Sequence, residues 1–256
     1  MFKMKSDLMV NPEQQTLADG SGNNGGGTAT LHEEYIDGLE EQFATPDTHT
    51  NLDEFEITNI QATSSIGVDV DIALLTEDHP EEASPNNNSC NEAGFCILHP
   101  PSVTGDKVKL YETGAVCIQG GITTLDRLVE IIEEVHQTLR DLGIDTEWSE
   151  VRVTNMVIQF DPPDEIESTP VGEEMVDVST RVNLNECKTQ ITGLEYHAES
   201  FAGAIYRTED DNMTCMLFNN GKTVVQGTES VDDAVRRREE LISLLNDNDI
   251  IGTDSA

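Results

Sequence analysis

Positive charge is scarce in this sequence. There are 14 lysines and arginines against 50 aspartates and glutamates, a formal net charge of −36, and only 5% of residues are aromatic. The broad basic surface that most nucleic-acid-binding proteins carry is therefore excluded. Acidity with few aromatic residues is compatible with disorder, or with a folded protein adapted to very high salt. Acidic residues alternate with periodic apolar segments along the chain, which favours the folded, salt-adapted alternative.

High salt changes what the missing basic surface implies. At molar salt the Debye length falls to about 3 Å, which screens the self-repulsion of an acidic protein. The same screening weakens the attraction between lysines and phosphates. A nucleic-acid-binding protein in that environment would have to use apolar and shape-based contacts. Low basic content is therefore a poor reason to reject nucleic-acid binding here.

Long apolar runs, paired cysteines and catalytic motifs are also missing. No apolar run approaches the length of a membrane span, and the first residues lack the apolar core of a signal peptide. We therefore expect a soluble, cytoplasmic protein. The five cysteines include no Cys-x-x-Cys pair, and the six histidines lack metal-ligand spacing. With no phosphate-binding glycine loop and no nucleophile elbow, we expect no cofactor, no metal site and no enzymatic activity.

An internal repeat is the most informative feature that is present. Residues 56–63, Glu-Ile-Thr-Asn-Ile-Gln-Ala-Thr, return at 152–159 as Arg-Val-Thr-Asn-Met-Val-Ile-Gln. Residues 111–120 return in the same way at 218–227, and an amphipathic helical pattern follows each. A period of about a hundred residues is too long for a solenoid unit. It indicates two half-domains related by a pseudo-twofold axis, which suits a nearly twofold ligand such as duplex DNA.

Each half is predicted to contain a strand, a short helix, several antiparallel strands and a long helix. Apolar stripes place the long helices at about 124–142 and 230–246. The first is predicted to begin with a capping box at 123–126 and to end at Gly143, and the second to be capped at 230–233. A short helix is expected from residue 68 and a polar loop over 81–91. The predicted fold is α+β, with one curved antiparallel sheet and the long helices on its convex face.

The predicted domain boundaries follow from this pattern. Residues 1–52 are expected to form a disordered, acidic, Gly/Asn-rich tail, since 19–28 has the composition of a flexible linker. The first repeat is placed at 53–147 and the second at 148–248. Residues 249–256 are expected to form a second disordered tail.

The second half carries a resemblance to a known family. The segment Gly203–Gly227, together with Thr154-Asn-Met-Val157, resembles the second repeat of the TATA-box-binding protein family. Residues 182–186 and 194–203 look like the short helix and the stirrup of that family. The resemblance covers about residues 54–247, is stronger in the second half, and fits a salt-adapted archaeal member. It implies a saddle that sits on the minor groove of DNA.

The resemblance also implies which residues bind DNA. Minor grooves distinguish A·T from G·C through acceptor atoms and the guanine amine, and a central asparagine pair, Asn59 and Asn155, would donate to the acceptors. Phe201 and Phe218 would wedge into a base step, as aromatic side chains of minor-groove proteins do. The remaining implied positions are the apolar residues Val157, Met216, Val224 and Cys117, the amides Gln119 and Gln226, and the phosphate-contacting Arg207 and Lys222.

The first repeat departs from the family pattern. Tyr111 replaces the inner phenylalanine, and the outer position aligns with about Glu92, with Phe95 three residues further on. Lys109 stands where an apolar residue is expected, and Ala115 where a lysine is expected. These changes imply an altered sequence preference or a weak, one-sided grip on DNA.

The resemblance implies protein partners as well. Glu195 and Glu199 lie in the stirrup, where the family docks transcription factor B, which would bring in RNA polymerase indirectly; His197 replaces an expected acid there. The basic cluster Arg236-Arg-Arg238 is compatible with an acidic partner or upstream DNA, and equally with ion pairs along its own helix.

The implied function is that of a general transcription initiation factor. It would bind and bend A·T-rich promoter DNA and recruit transcription factor B and RNA polymerase. One alternative is a regulatory paralogue that binds transcription proteins with weak or no bending, which the degenerate first repeat and the long loop at 161–181 support. Another is an enzyme or ligand-binding module on the same sheet, since fold does not fix function, although no convergent polar pocket is evident in the sequence.

Overall fold

The computed structural model describes residues 33–44, 55–85, 94–105, 107–162, 182–207, 212–248 and 250 of the 256. The chain divides into two compact units. The first unit holds the chain up to Glu40 and Ala62–Arg152, and the second unit holds Glu41–Gln61 and the chain from Val153 onward. No helix in the described ranges is long and apolar enough to cross a membrane.

The elements up to the first long helix are two helices and five strands, followed by that helix. Helix α1 (Glu33–Phe43) precedes strand β1 (Phe55–Ser65), which begins in the second unit and ends in the first. The first unit continues with α2 (Ile72–Asp78), β2 (Ala83–Pro85), β3 (Phe95–Leu98), β4 (Lys107–Tyr111), β5 (Ala115–Gly120) and α3 (Leu125–Asp141).

The second unit repeats the same order of elements. It contains β6 (Arg152–Phe160), α4 (Leu184–Gln190), β7 (Leu194–Glu195), β8 (Ala204–Tyr206), β9 (Thr214–Leu217), β10 (Thr223–Thr228) and α5 (Val231–Asp247). All ten strands belong to one sheet with the order β2-β3-β4-β5-β1-β6-β10-β9-β8-β7. The predicted α+β class with one large antiparallel sheet is confirmed.

The same tight turn joins β4 to β5 and β9 to β10. The amide of Gly114 donates to the carbonyl of Tyr111 at 2.9 Å, and the amide of Gly221 donates to the carbonyl of Phe218 at 2.9 Å. Both glycines adopt a positive φ, 74° and 84° respectively, which L side chains rarely adopt. The repeated sequence at 111–120 and 218–227 is therefore a repeated structure.

The long helices begin at hydroxyl caps. Ser230 accepts a hydrogen bond from the amide of Asp233 at 3.1 Å, as predicted. The predicted start of α3 is wrong by one residue, because Thr124 is the cap and accepts from the amide of Arg127 at 3.2 Å. Thr124 has the extended backbone that an N-cap requires. Gly143, with φ 78°, ends the helix as predicted.

Alternate strand positions and the long helices form the core of each unit. In the first unit the buried strand residues are Cys96, Leu98, Val108, Leu110, Val116 and Ile118, and α3 buries Leu128, Ile131, Ile132, Val135 and Leu139. In the second unit α5 contacts β9 and β10, and the buried strand residues include Met156, Ile158, Cys215, Leu217 and Val225. Each such aliphatic side chain stabilises the fold by about 1.5–3 kcal/mol. We call the other side of the strands in each unit the open face.

Two short elements differ from the sequence-based expectation. Strand β2 lies inside the predicted loop 81–91; it has three residues and contains Pro85, which fits an edge strand and gives no alternating pattern. Helix α2 begins at Ile72, four residues later than expected. Asp71 fixes that start by accepting from the amide of Leu74 at 3.0 Å.

Helix α1 lies in the segment predicted to be a disordered tail. Leu39 is buried, and the Gln42 amide donates to the carbonyls of Val153 and Glu229, both at 2.9 Å. Its oxygen accepts from the amide of Val153 at 2.8 Å. Residues 33–44 are therefore ordered by tertiary contacts that composition does not reveal. The rest of the predicted tail falls outside the described residues, and the repeat boundaries stay predictions.

Candidate nucleic-acid interface

A row of side chains crosses four strands on the open face of the second unit. Ile205 of β8 pairs with Met216 of β9, which pairs with Val224 of β10, which pairs with Gln159 of β6. All four side chains are half-buried. Three of the four are apolar, so the row forms an apolar strip on this face.

Two further predicted residues lie beside this row. Val157 of β6 pairs with Gln226 of β10. The structure therefore brings together four of the predicted DNA-binding residues on one sheet face, namely Val157, Met216, Val224 and Gln226.

Phe201 and Phe218 form an aromatic pair beside the apolar row, since Phe218 follows β9 two residues after Met216 and Phe201 precedes β8. Their ring centroids lie 5.8 Å apart in an edge-on arrangement. Among the described residues Phe201 is the exposed large apolar side chain, at 37%. Gly203 leaves room for both rings, since a Cβ there would lie 2.9 Å from Cε1 of Phe201 and 3.2 Å from Cε1 of Phe218. The pair thus lies just outside β8 and β9, and its Phe201 ring is accessible to solvent.

The predicted asparagine pair lies on β1 and β6. Asn155 accepts a hydrogen bond at Oδ1 from the amide of Gly227 at 2.9 Å. Gly227 occupies a register shift in β10 and has φ 84°. Because the oxygen is used in this bond, the amino group is the part of the Asn155 side chain turned to other partners. Asn59 is half-buried in β1, next to the fully buried Ile60, so it also belongs to the open face.

Both predicted phosphate-contacting residues of the second unit have carboxylate partners. Nζ of Lys222 lies 2.9 Å from Oδ1 of Asp161. Nη1 of Arg207 lies 3.9 Å from Oε2 of Glu195. Exposed pairs of this kind contribute about 0–1 kcal/mol, so the cations can exchange their partners at small cost. Glu195, a predicted partner-binding residue, is exposed on β7, and Glu199 is exposed in the turn that follows.

The first unit also has an aromatic pair, and comparison of the two repeats did not predict its member Phe95. Phe95 and Tyr111 are register partners with ring centroids 5.2 Å apart. Ile97 pairs with Lys109 as Ile205 pairs with Met216, which puts Phe95 at the place of Gly203. The outer aromatic ring thus comes from the strand itself, whereas Glu92 falls outside the described residues. Alternation along β3, with half-buried Phe95 and Ile97, was the available signal.

Lys109 lies on the open face of the first unit beside Cys117. The row Ile97–Lys109–Cys117 corresponds to the row Ile205–Met216–Val224. Nζ of Lys109 lies 3.2 Å from Oε1 of Gln119 and 5.6 Å from the centroid of Phe95. Burial raises the pKa of the Cys117 thiol, and the nearby Lys109 partly opposes that rise. The predicted residues Tyr111, Cys117 and Gln119 are therefore found close to a lysine.

The arginine cluster at 236–238 does not form one basic patch. Arg237 is 5% exposed and bonds Glu240 at 2.8 Å, and its guanidinium lies 5.9 Å from the centroid of Tyr206. The guanidinium carbon of Arg238 lies 5.1 Å from the ring centroid of Phe160. The cluster therefore serves mainly to hold α5 in its own unit, as the interpretation of ion pairs along the helix predicts.

Comparisons with known proteins agree with this geometry. A family model described as Transcription factor TFIID (or TATA-binding protein, TBP) matches residues 174–248. The TATA-box-binding protein of Methanocaldococcus jannaschii is 24% identical over 200 residues, which cover 76% of this chain and 94% of that protein. TATA-box-binding protein D of Halobacterium salinarum is 27% identical over 199 residues, covering 77% and 96%. Over about three quarters of its length the chain is similar to archaeal TATA-box-binding proteins.

A solved structure shows the shared fold. The structure of Methanococcus jannaschii TBP matches with a TM-score of 0.58 at 22% identity, covering 76% of this chain and 99% of that one. The range matched by the TATA-binding family model lies in the second unit and contains Phe201, Phe218 and the row from Ile205 to Val224. The second unit is therefore the part of the chain that the family model recognises, and the first unit carries Lys109 and Phe95.

Proposed function

We propose that the chain is a transcription initiation factor that binds A·T-rich promoter DNA of the TATA-box type through the minor groove and bends it. The observation that carries the proposal is the Phe201–Phe218 pair, 37% exposed at Phe201 and set beside an apolar strip. Apolar wedges of this kind unstack base steps at the minor groove and kink the duplex. Relatives named TATA-box-binding proteins support the same role.

Hydrogen-bond donors on the open face support a preference for A·T. Base pairs of A and T show only acceptors in the minor groove, whereas guanine adds an amino group. The Asn155 amide already accepts from Gly227 and so has its amino group for a base acceptor. Asn59 on β1 supplies a second amide, and Gln226 is an exposed third.

In this proposal, phosphate contacts contribute less to DNA binding than contacts with the minor groove. With a net charge of −36, the chain needs salt to approach DNA, and at molar salt the Debye length of about 3 Å limits repulsion to near contact. Lys222 and Arg207 would then leave Asp161 and Glu195 for phosphates. We propose that the initiation factor acts in the cytoplasm.

We further propose that the exposed Glu195 and Glu199 form the docking surface for transcription factor B, which recruits RNA polymerase. Glu195 lies on β7, at one edge of the sheet. A pull-down of transcription factor B on a preformed DNA complex, with Glu195→Gln and Glu199→Gln, tests this. If the variants retain as much transcription factor B as the wild type does, the docking surface lies elsewhere.

The DNA proposal is tested by fluorescence energy transfer on an end-labelled TATA duplex in molar KCl. The wild type is compared with the Phe201→Ala, Phe218→Ala double variant and with a G·C-rich duplex of equal length. We expect bending of the A·T-rich duplex by the wild type and its loss in the double variant, with thermal unfolding of both proteins as the control. A folded wild type that binds both duplexes equally would contradict the proposal.

The alternative is a regulatory paralogue that binds transcription proteins and bends DNA weakly or not at all. Lys109 within the first unit's apolar row favours it, because that row then lacks the uniform apolar surface of its counterpart. If the folded wild type binds no duplex but retains transcription factor B in a pull-down, the paralogue is the better description.

A further inference from the structure

One position on the open face of the first unit carries a charge where the second unit carries a methionine. Lys109 lies between Ile97 and Cys117 in register, as Met216 lies between Ile205 and Val224. Lys109 is half-buried, although a desolvated ammonium is costly unless it is bonded. Its place in an otherwise apolar row therefore points to a specific polar role.

The geometry of Lys109 defines what this site offers to a ligand. Its Nζ donates to Oε1 of Gln119 at 3.2 Å and lies 5.6 Å from the ring centroid of Phe95. An ammonium has three N–H donors and no acceptor, so Gln119 must turn its oxygen towards Lys109. The amino group of Gln119 then faces away from the lysine. Lys109 and Gln119 therefore offer N–H donors to a ligand, because Oε1 of Gln119, the one acceptor atom of the two side chains, already bonds Lys109.

We propose that Lys109 and Gln119 act as a donor pair that selects A·T over G·C in the part of the site contacted by the first unit. A·T and T·A pairs both present only acceptors in the minor groove, which match these donors. The guanine amino group is itself a donor and opposes them. The inference rests on the proposed binding to the minor groove and adds the residues that set its selectivity in this unit.

Lys109 acts here as a hydrogen-bond donor at contact and not as a long-range charge. At molar salt the Debye length is about 3 Å, so attraction to distant phosphates is screened whereas a direct N–H contact is not. The selectivity that Lys109 provides should therefore persist as KCl is raised. A phosphate-directed role would instead weaken with salt for every duplex alike.

The test is a binding titration with a TATA duplex in which each A·T pair is replaced in turn by G·C or by inosine·cytosine. Inosine lacks the guanine amino group, so its pair with cytosine presents acceptors as A·T does. The proteins are the wild type, Lys109→Met, which installs the residue of the second unit, Gln119→Leu, and Arg140→Met. Arg140 is exposed at the end of α3, so its substitution removes the same charge away from the open face.

We expect the wild type to bind inosine-substituted duplexes like the parent and to reject guanine. In Lys109→Met and Gln119→Leu, rejection of guanine should weaken about tenfold at positions on one side of the site only, while Arg140→Met keeps it. Unchanged rejection in Lys109→Met, or an equal change in Arg140→Met, would overturn the donor pair and leave minor-groove binding intact. A wild type with no preference for A·T at any position would instead refute the proposed function itself.

Discussion

Phe95 and Tyr111 face each other across β3 and β4, with ring centroids 5.2 Å apart. In the second unit the corresponding pair is Phe201 and Phe218, and Phe201 comes from the turn before β8. The first unit therefore builds its aromatic pair from two strand positions. By strand register its outer ring stands two positions later than Phe201 does in the second unit.

This arrangement predicts that the first unit contributes to DNA binding. Replacing both Phe95 and Tyr111 with alanine should lower affinity for an A·T-rich duplex about tenfold and reduce the bend, because wedging contacts offset the unstacking of base steps. Fluorescence energy transfer in molar KCl measures both quantities. Equal affinity and bend in wild type and variant, with unchanged thermal unfolding, would show that only the second unit grips DNA.

The second unit was the more predictable part, for a physical reason. Its hairpin from Thr214 to Thr228 combines period-two alternation with a glycine turn, so both register and face follow from the local sequence. Phe95 could not be placed in that way. Its partner is decided by pairing between β3 and β4, and counting back from the repeat leads to Glu92.

Long-range polar contacts were also beyond the sequence. Lys222 and Asp161 are sixty-one positions apart, and Gln42 and Val153 are 111 apart. No local pattern links such residues, and in a chain with 50 acids the presence of a nearby carboxylate carries little information. The tertiary contacts that hold helix α1 could not be predicted for this reason.

The ion pair of Lys222 with Asp161 predicts a gain in DNA affinity when the acid is removed. Asp161→Asn frees Nζ of Lys222, now 2.9 Å from the carboxylate, for a phosphate. Since exposed pairs are worth up to about 1 kcal/mol, affinity should rise by up to about fivefold. Binding isotherms should show the gain shrinking as KCl is raised.

Asp145→Asn is the matched control for this change. Asp145 is an exposed acid of the first unit, in the segment after α3, and its substitution alters net charge by the same amount. An equal gain for both variants would show that overall charge, and not the release of Lys222, raises the affinity.

Gly203 predicts a variant that folds and yet bends DNA poorly. In Gly203→Ala the new Cβ would lie 2.9 Å from Phe201, 3.1 Å from the carbonyl oxygen of Leu217 and 3.2 Å from Phe218, so the exposed Phe201 ring must move and the Leu217 carbonyl must shift slightly. Bending should fall while the thermal midpoint changes little. Gly121→Ala is the control, because a Cβ there meets nothing within 4 Å. A normal bend angle in Gly203→Ala would mean that the ring geometry is not required.

Helix α1 predicts a stabilising role for part of the acidic N-terminal region. The Gln42 amide bonds both backbone groups of the buried Val153, and these lose that partner in Gln42→Ala. Unsatisfied buried polar groups cost about 1–3 kcal/mol each, so urea unfolding should show a loss of at least about 1 kcal/mol. Gln190→Ala, at an exposed site on α4, should change stability much less. If the two variants unfold at the same urea concentration, water replaces the Gln42 amide without loss and α1 is only loosely attached.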